Sequence, residues 1–316
     1  VNGVAGGFSM VRNIAVQDSG ADPLILGGQN TSGTNIFAGN ITLGATTDTG
    51  KSVTVLAVNG GEVDFTGNLL KNGADTTAGV TLNDGAHGGT IKLLGANTYA
   101  GPTTVNAGKA AFSTRHAGGG DLSLADATTL IVTNVGNAAS ASFAALTLGS
   151  SGPTTNVFDN VASTSIPLVN ATGALTINGS CTVVISSNNA ITAVGAYPLI
   201  KYGSFTGTLP TLAATPANFT GVLTNDTANG WIALHVTSTV SPVNTNAGPI
   251  QVSVSGSTLS LAWPTNGGWT LMTNSVGLAA TNQWFPYPGS ASLTNLGITI
   301  NPGMTNVFFR LQYPYP

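Results

Sequence analysis

Charge is what this chain of 316 residues has least of: Lys, Arg, Asp and Glu together make 6% of it, where an ordinary soluble domain has roughly 25%. Eight basic and 11 acidic residues leave a net charge of −3. That excludes the clustered Lys and Arg of a nucleic-acid partner and the polybasic segment that would hold an anionic membrane. Cysteine occurs once, as Cys181, which excludes an internal disulfide framework and any cysteine-based zinc site. In "GSCTVVISS" it alternates in step with Val183 and Ile185, as a small buried hydrophobe would. No apolar run approaches 18 residues, so no helical membrane span is expected. Helical periodicity is missing too: no stretch of about 12 residues free of Gly and Pro spaces its apolar positions by three and four. The chain opens at Val1 without a charged-then-apolar leader, so any signal peptide is expected to lie outside it.

What is there is strand and corner. The apolar fraction of 42% means that a core packs. From residue 40 onward, runs of about four to seven residues, rich in Val, Ile, Thr and Leu, stand between Gly, Asn and Asp: "ITLG", "SVTVLAV", "EVDFTG", "VTLN", "TIKLLG", "TLIVTN", "FAALTLG", "ALTING", "CTVVIS", "YPLIKYG" and "WIALHV". The same punctuation closes many of them, as in "VNGG", "LNDG", "VNAG" and "INGS". Repetition of the corner favours a solenoid, in which each rung buries its apolar side against its neighbours and Gly or Asn takes the left-handed corner conformation.

One stretch is more specific. "LLGANTYAGPTTVNAGK", residues 93–109, resembles the autotransporter-associated β-strand repeat: Leu94, Gly95, Asn97, Thr98, Tyr99, Gly101, Thr103 or Thr104, Val105 and Gly108 fall where that pattern puts them. Ala110 or Ala111 stands for its usual leucine, and one clear copy is present. The later segments, including "VSVSGSTLSLAWP" and "VFFRLQYP", are similar to the region C-terminal to this repeat in large secreted proteins of Verrucomicrobia and Planctomycetes. The likeness covers about residues 90–316. It implies a right-handed parallel β-helix outside the cell or on its surface, and it implies no catalytic residues. The membrane barrel that ends autotransporters proper is not expected within residues 238–316, which are too few for it.

The expected organisation is therefore all-β: a β-solenoid over 1–237, a Pro/Asn/Thr linker over 238–249 ("STVSPVNTNAGP" begins at its first residue), and a small C-terminal β-sandwich-like module over 250–316. The module holds Trp263, Trp269 and Trp284, and from His235 to the end Arg310 is the only charged side chain.

Candidate sites are few. Glu62 and Asp64 in "GEVDFTG" point to one face of a strand, about 7 Å apart, with no third acid or arginine near them in sequence; the readings are a solvated face, a cation site or a catalytic pair. His87 and His116 lie in Gly-rich corners and are expected to be exposed turn residues, and His235 is expected outside the core. "AGGGD" at 117–121 lacks the Gly-Lys-Ser/Thr ending of a phosphate loop. N-x-S/T triplets start at Asn30, Asn40, Asn170, Asn178, Asn218 and Asn225, as composition alone would supply them. Tryptophans of the module serve as its core or as sugar-stacking surfaces.

The leading expectation is a secreted structural protein, a subunit of an extracellular fibre or surface layer that joins to itself head to tail, with no cofactor, no metal and no enzymatic activity. Neither solenoid end shows a charged or proline-rich cap, and the nearly neutral module lacks like-charge repulsion. The N-terminal segment is expected to pair with a neighbouring subunit, Phe8, Met10 and Ile14 covered by the region of Trp263, Trp269 and Phe308; the alternative makes it the first rung of its own solenoid. The rival functions are an adhesin binding surface glycans and a carbohydrate-active β-helix enzyme.

Overall fold

The computed structural model describes residues 7–17, 24–44, 51–136, 138–239, 250–263, 269–280, 282–290, 293–301, 303 and 306–312. Among them there is no α-helix, and the chain divides into two compact units, Val1–Thr239 and Val240–Pro316. The expected linker lies, from residue 240 on, outside the described residues.

The first unit is a parallel β-solenoid. A nine-stranded sheet makes one wall and an eleven-stranded sheet another, while a third face has three strands, Ile14–Val16, Ile41–Leu43 and Leu69–Lys71, and belongs to the first turns only. Strands as short as three residues suffice where neighbours flank both sides: Thr103–Val105 lies between Val80–Leu82 and Leu122–Leu124 in strict register. Alternation does the rest. Val53, Val55 and Ala57 point inward and are buried, with Thr54 and Leu56 half-buried between them. One apolar core runs from Val16 to Val236. Phe37 stacks on Phe65 at 4.8 Å between ring centres, and Phe8 meets Phe37 edge-on at 5.5 Å.

Outward positions explain how so little charge keeps the wall wet. Thr54, Thr81, Thr104, Ser123, Thr147, Thr176 and Thr206 lie opposite one another on successive strands of the eleven-stranded sheet, a hydroxyl row along the solenoid. Corners are stapled by asparagine. The Asn40 N–H donates to Asn13 Oδ1 at 2.9 Å, the Asn68 N–H to Asn40 Oδ1 at 3.1 Å and the Ala96 N–H to Asn68 Oδ1 at 2.7 Å. The corner in "LNDG" is Asn83 at φ 59°, and that in "VNAG" is Gly108 at φ 73°.

The repeat-like stretch has a physical reading in this frame. Asn97 is fully buried, accepts the Leu69 N–H at 2.9 Å and donates to the Leu93 carbonyl at 3.2 Å, so it ties one turn to the one before. Tyr99 is buried with its hydroxyl 2.6 Å from Thr103 Oγ1. At Gly101 a Cβ would lie 2.3 Å from the Ala78 carbonyl oxygen, so the rungs meet backbone to backbone there and only glycine fits.

The C-terminal end of the solenoid departs from the expectation of an uncapped end. The strands Phe219–Asp226 and Trp231–Thr239 form an antiparallel hairpin that pairs onto Gly195–Gly207, so the eleven-stranded wall ends in a change of strand direction. Its outer strand slips register between Thr220 and Gly221 and ends at Asp226, two features that blunt an edge. Its charge is the single carboxylate of Asp226, too little for composition to show the cap.

The second unit holds two three-stranded antiparallel sheets. One orders Gln251–Ser255, Thr258–Ala262 and Asn295–Thr299; the other orders Phe285–Pro286, Thr270–Asn274 and Phe308–Gln312. Leu261, Trp263 and Leu271 are its buried centre, with Leu259, Trp269, Tyr287, Leu296, Ile298, Phe309 and others packed against them.

Candidate functional site

Glu62 and Asp64 alternate with the buried Val63 and Phe65, so both carboxylates stand on the outer wall. The strand before supplies Thr34, whose hydroxyl donates to Glu62 Oε1 at 2.9 Å, and the strand after supplies Lys92, whose Nζ lies 2.8 Å from Glu62 Oε2 and 3.8 Å from Asp64 Oδ2. This is the basic partner that linear sequence hid. Partial burial alone would raise Glu62, but hydrogen bonds from Lys92 and Thr34 outweigh it and hold the carboxyl below its ordinary range. Burial pushes Asp64 up, and the Lys92 charge only partly offsets that. Two carboxylates thus share one ammonium on a strand wall. Among the described residues no group of three or more His, Cys, Asp or Glu could hold a metal ion.

The histidines divide. His235 is exposed on its strand. His87 is half-buried in its corner, its Nδ1 2.6 Å from Asp84 Oδ1, and that contact is the chief cause holding Asp84 below the usual carboxylate range. His116 corrects the expectation of an exposed turn residue: it is 1% exposed. The chain turns tightly at Ser113, whose carbonyl accepts the His116 N–H at 3.1 Å, and the ring swings inward to stack on Phe143 at 4.7 Å, with Phe112 and Tyr99 edge-on at 5.1 and 5.5 Å. The glycine run that suggested an exposed corner instead makes room, because a Cβ at Gly118 would come within 3.2 Å of the imidazole. Burial among uncharged rings pushes His116 down to about 3.

Cys181 is buried beside Asn156, whose Nδ2 lies 3.4 Å from the sulfur, and burial raises its thiol. Several asparagines of the glycosylation triplets work inside the fold: Asn178 Nδ2 donates to the Gly149 carbonyl at 2.9 Å, Asn218 Nδ2 to Asn189 Oδ1 at 2.9 Å, and Asn225 accepts from the Tyr202 hydroxyl.

The expected assembly residues are engaged within their own units. Ser9–Met10 pairs in parallel with Thr34–Phe37, and Ile14–Val16 with Ile41–Leu43; Phe8, Met10 and Ile14 pack against the solenoid's own core. They form the first rung of their own solenoid. Trp263 is 6% exposed in the module's centre, Trp269 is packed against it and Phe308 is half-buried on an adjoining strand. Arg310 lies over the Trp284 ring at 4.4 Å from its centre. The open surfaces are elsewhere. A hollow of about 150 Å³ opens among first-turn residues that include Met10, Leu26 and Phe37. Between the two sheets of the module, a cleft of about 360 Å³ is lined by Leu259, Tyr287, Ile298 and Phe309, with Asn301 and Asn306 at hand. Sequence reasoning missed this cleft, since its lining comes from five separated segments.

The comparisons add no relative: the chain matches no family model, no curated protein and no solved structure. The class that can be stated is that of the fold, a parallel β-solenoid joined to an antiparallel β module.

Proposed function

We propose that this chain is a structural protein of the cell exterior, a subunit of a fibre or surface layer whose copies join by their strand edges. The observation that carries the reading is a strand edge in the module with no charge, no proline and exposed valines, Gln251–Ser255. Proteins that stay single normally block such edges, and the solenoid's own end does so with a register slip and Asp226. The hydroxyl-rich, nearly uncharged wall suits close lateral packing. The first-turn hollow is a second place for a further rung. The likeness of residues 93–109 to the autotransporter-associated repeat supports a secreted setting. The cap at the solenoid's C-terminal end shifts the joint from direct head-to-tail stacking of solenoids to the first turn and the module. Negative-stain electron microscopy of the full chain over rising concentration tests this: thin unbranched fibres or sheets are expected, and a monomer at every concentration and salt overturns it.

The module cleft favours a second reading, a surface protein that binds neutral glycans, since Tyr287 and Phe309 offer ring faces and Asn301 and Asn306 uncharged hydrogen-bonding groups. A glycan array read with wild type and Tyr287→Ala decides it: loss of a hit in the variant supports binding, and no hit in either removes the reading.

A further inference from the structure

The Gln251–Ser255 strand is unlike the other five-residue strands of the module in having all its residues exposed. Val252 and Val254 are 62% and 60% exposed. They share a face with Leu261 and Leu259, their cross-strand partners, and with Leu296 and Ile298 beyond. Those leucines and Ile298 are covered by the second sheet, whereas the valines project past it. The strand sits at the edge of its sheet and, among the described residues, pairs only with Thr258–Ala262.

The hairpin loop settles which backbone groups are free. It has two residues, Gly256 and Ser257, with Gly256 at φ 58°, so Ser255 and Thr258 are a hydrogen-bonded pair. By alternation Ser253 and Gln251 also bond inward, and Val252 and Val254 turn their N–H and C=O groups outward.

We infer that this edge joins two copies of the chain in an antiparallel pair centred on Ser253. The strand is self-complementary about that residue. With Ser253 opposite its own counterpart, Val252 faces Val254 of the other copy and Val254 faces Val252, so the outward backbone groups meet in about four main-chain hydrogen bonds. All four valines fall on one face and cover one another, Gln251 faces Ser255, and two three-stranded sheets become one continuous sheet. A second copy is the favoured occupant because nothing across the two-fold axis repels: residues 250–263 contain no charged side chain. The opposite edge of the same sheet, Asn295–Thr299, lacks the exposed apolar pair, since Leu296 and Ile298 are packed.

This joint deepens the proposed self-association and is tested apart from fibre formation. In a Cys181→Ala background of the full chain, Ser253→Cys places two thiols opposite one another at a non-hydrogen-bonded position, where Cα atoms come within disulfide reach. Mild oxidation is expected to give a covalent dimer, while Ser255→Cys, which faces Gln251, stays single. Val254→Lys is expected to weaken dimerisation at least tenfold by light scattering, with an unchanged unfolding profile. Equal cross-linking of the two cysteine variants, or an unchanged association state in Val254→Lys, overturns the joint. Fibres that persist unaltered in Val254→Lys overturn it while sparing the fibre reading; Ser253→Cys dimers without fibres uphold it and sink that reading.

Discussion

The solenoid and the C-terminal module are built from the same uncharged, Thr-rich strands, yet they solve burial differently. In the solenoid, nine and eleven strands stand side by side, and most are hydrogen-bonded on both flanks over a single core reaching from Val16 to Val236. In the module each sheet has three strands, so only the middle strand of each is flanked on both sides, and the buried centre is Leu261, Trp263 and Leu271. Repetition lets three-residue strands be stable; without it, five-residue strands leave a face and an edge uncovered. The difference teaches where backbone and apolar groups stay uncovered: the first unit satisfies its own strands along most of its length, whereas the second leaves an exposed strand edge, the feature on which the proposed association rests.

The comparison breaks most visibly at Trp263. Trp263→Ala removes the largest side chain of a small core, a loss of about 3–5 kcal/mol, on the order of what a module this size has to spare. Calorimetry is expected to show the module's transition lost or shifted far down and the solenoid's unmoved. A single transition that shifts as a whole would mean that the two units unfold together. Within the solenoid, Gly101→Ala drives a methyl group into the Ala78 carbonyl, and the rungs must part locally; about 1–3 kcal/mol is expected, read in denaturant as a lower midpoint of the solenoid transition alone.

Much of this architecture is legible in the chain. The alternation of Val53 to Ala57 and of Thr129 to Thr133 is plain in sequence, and so are corners such as Asn83 and Gly108. Turn length is what obscures the rest. Phe37, Phe65 and Leu93 stack at intervals of 28 residues, but Leu93 is followed by Phe112 after only 19. No fixed period survives, which is why the stretch at 93–109 has no evident second copy in the sequence. Contacts between rungs are invisible for the same reason: nothing near Glu62 in sequence announces Lys92. The inward turn of His116 depends on a cavity among Tyr99, Phe112 and Phe143 that exists only once three rungs are stacked. The exposed edge is present in "VSVSG" as a charge-free alternation, yet only the sheet order makes it an edge.

His116 sharpens the comparison through pH. Its folded-state value of about 3 lies below the ordinary 6.5, so between those limits the unfolded chain binds a proton that the folded chain refuses. Unfolding is therefore favoured as pH falls: the full stability is present above 6.5 and is lost progressively toward 3. By pH 5 the loss is about 2 kcal/mol, at about 1.4 kcal/mol per unit. The solenoid's transition is expected to fall with pH in this window and the module's to stay nearly level. His116→Phe should flatten the solenoid's slope; an unchanged slope would mean that the ring is not the group responsible.

The smallest effect is expected at the wall carboxylates. Lys92→Met leaves Glu62 and Asp64 facing each other without their shared ammonium, but Lys92 and Glu62 are about one-third exposed, and Asp64, with Oδ1 buried, keeps 14% of its side chain in water. Such a pair contributes no more than about 1 kcal/mol, and salt screens it. The solenoid midpoint should drop slightly at low ionic strength and match wild type at high salt. Glu62→Gln should mimic this, since the amide keeps the shape and can still accept the Thr34 hydroxyl bond while losing the charge. A loss of several kcal/mol in Lys92→Met that persists in high salt would show instead that the methylene stem of Lys92 packs against the wall and that the cluster is structural rather than electrostatic.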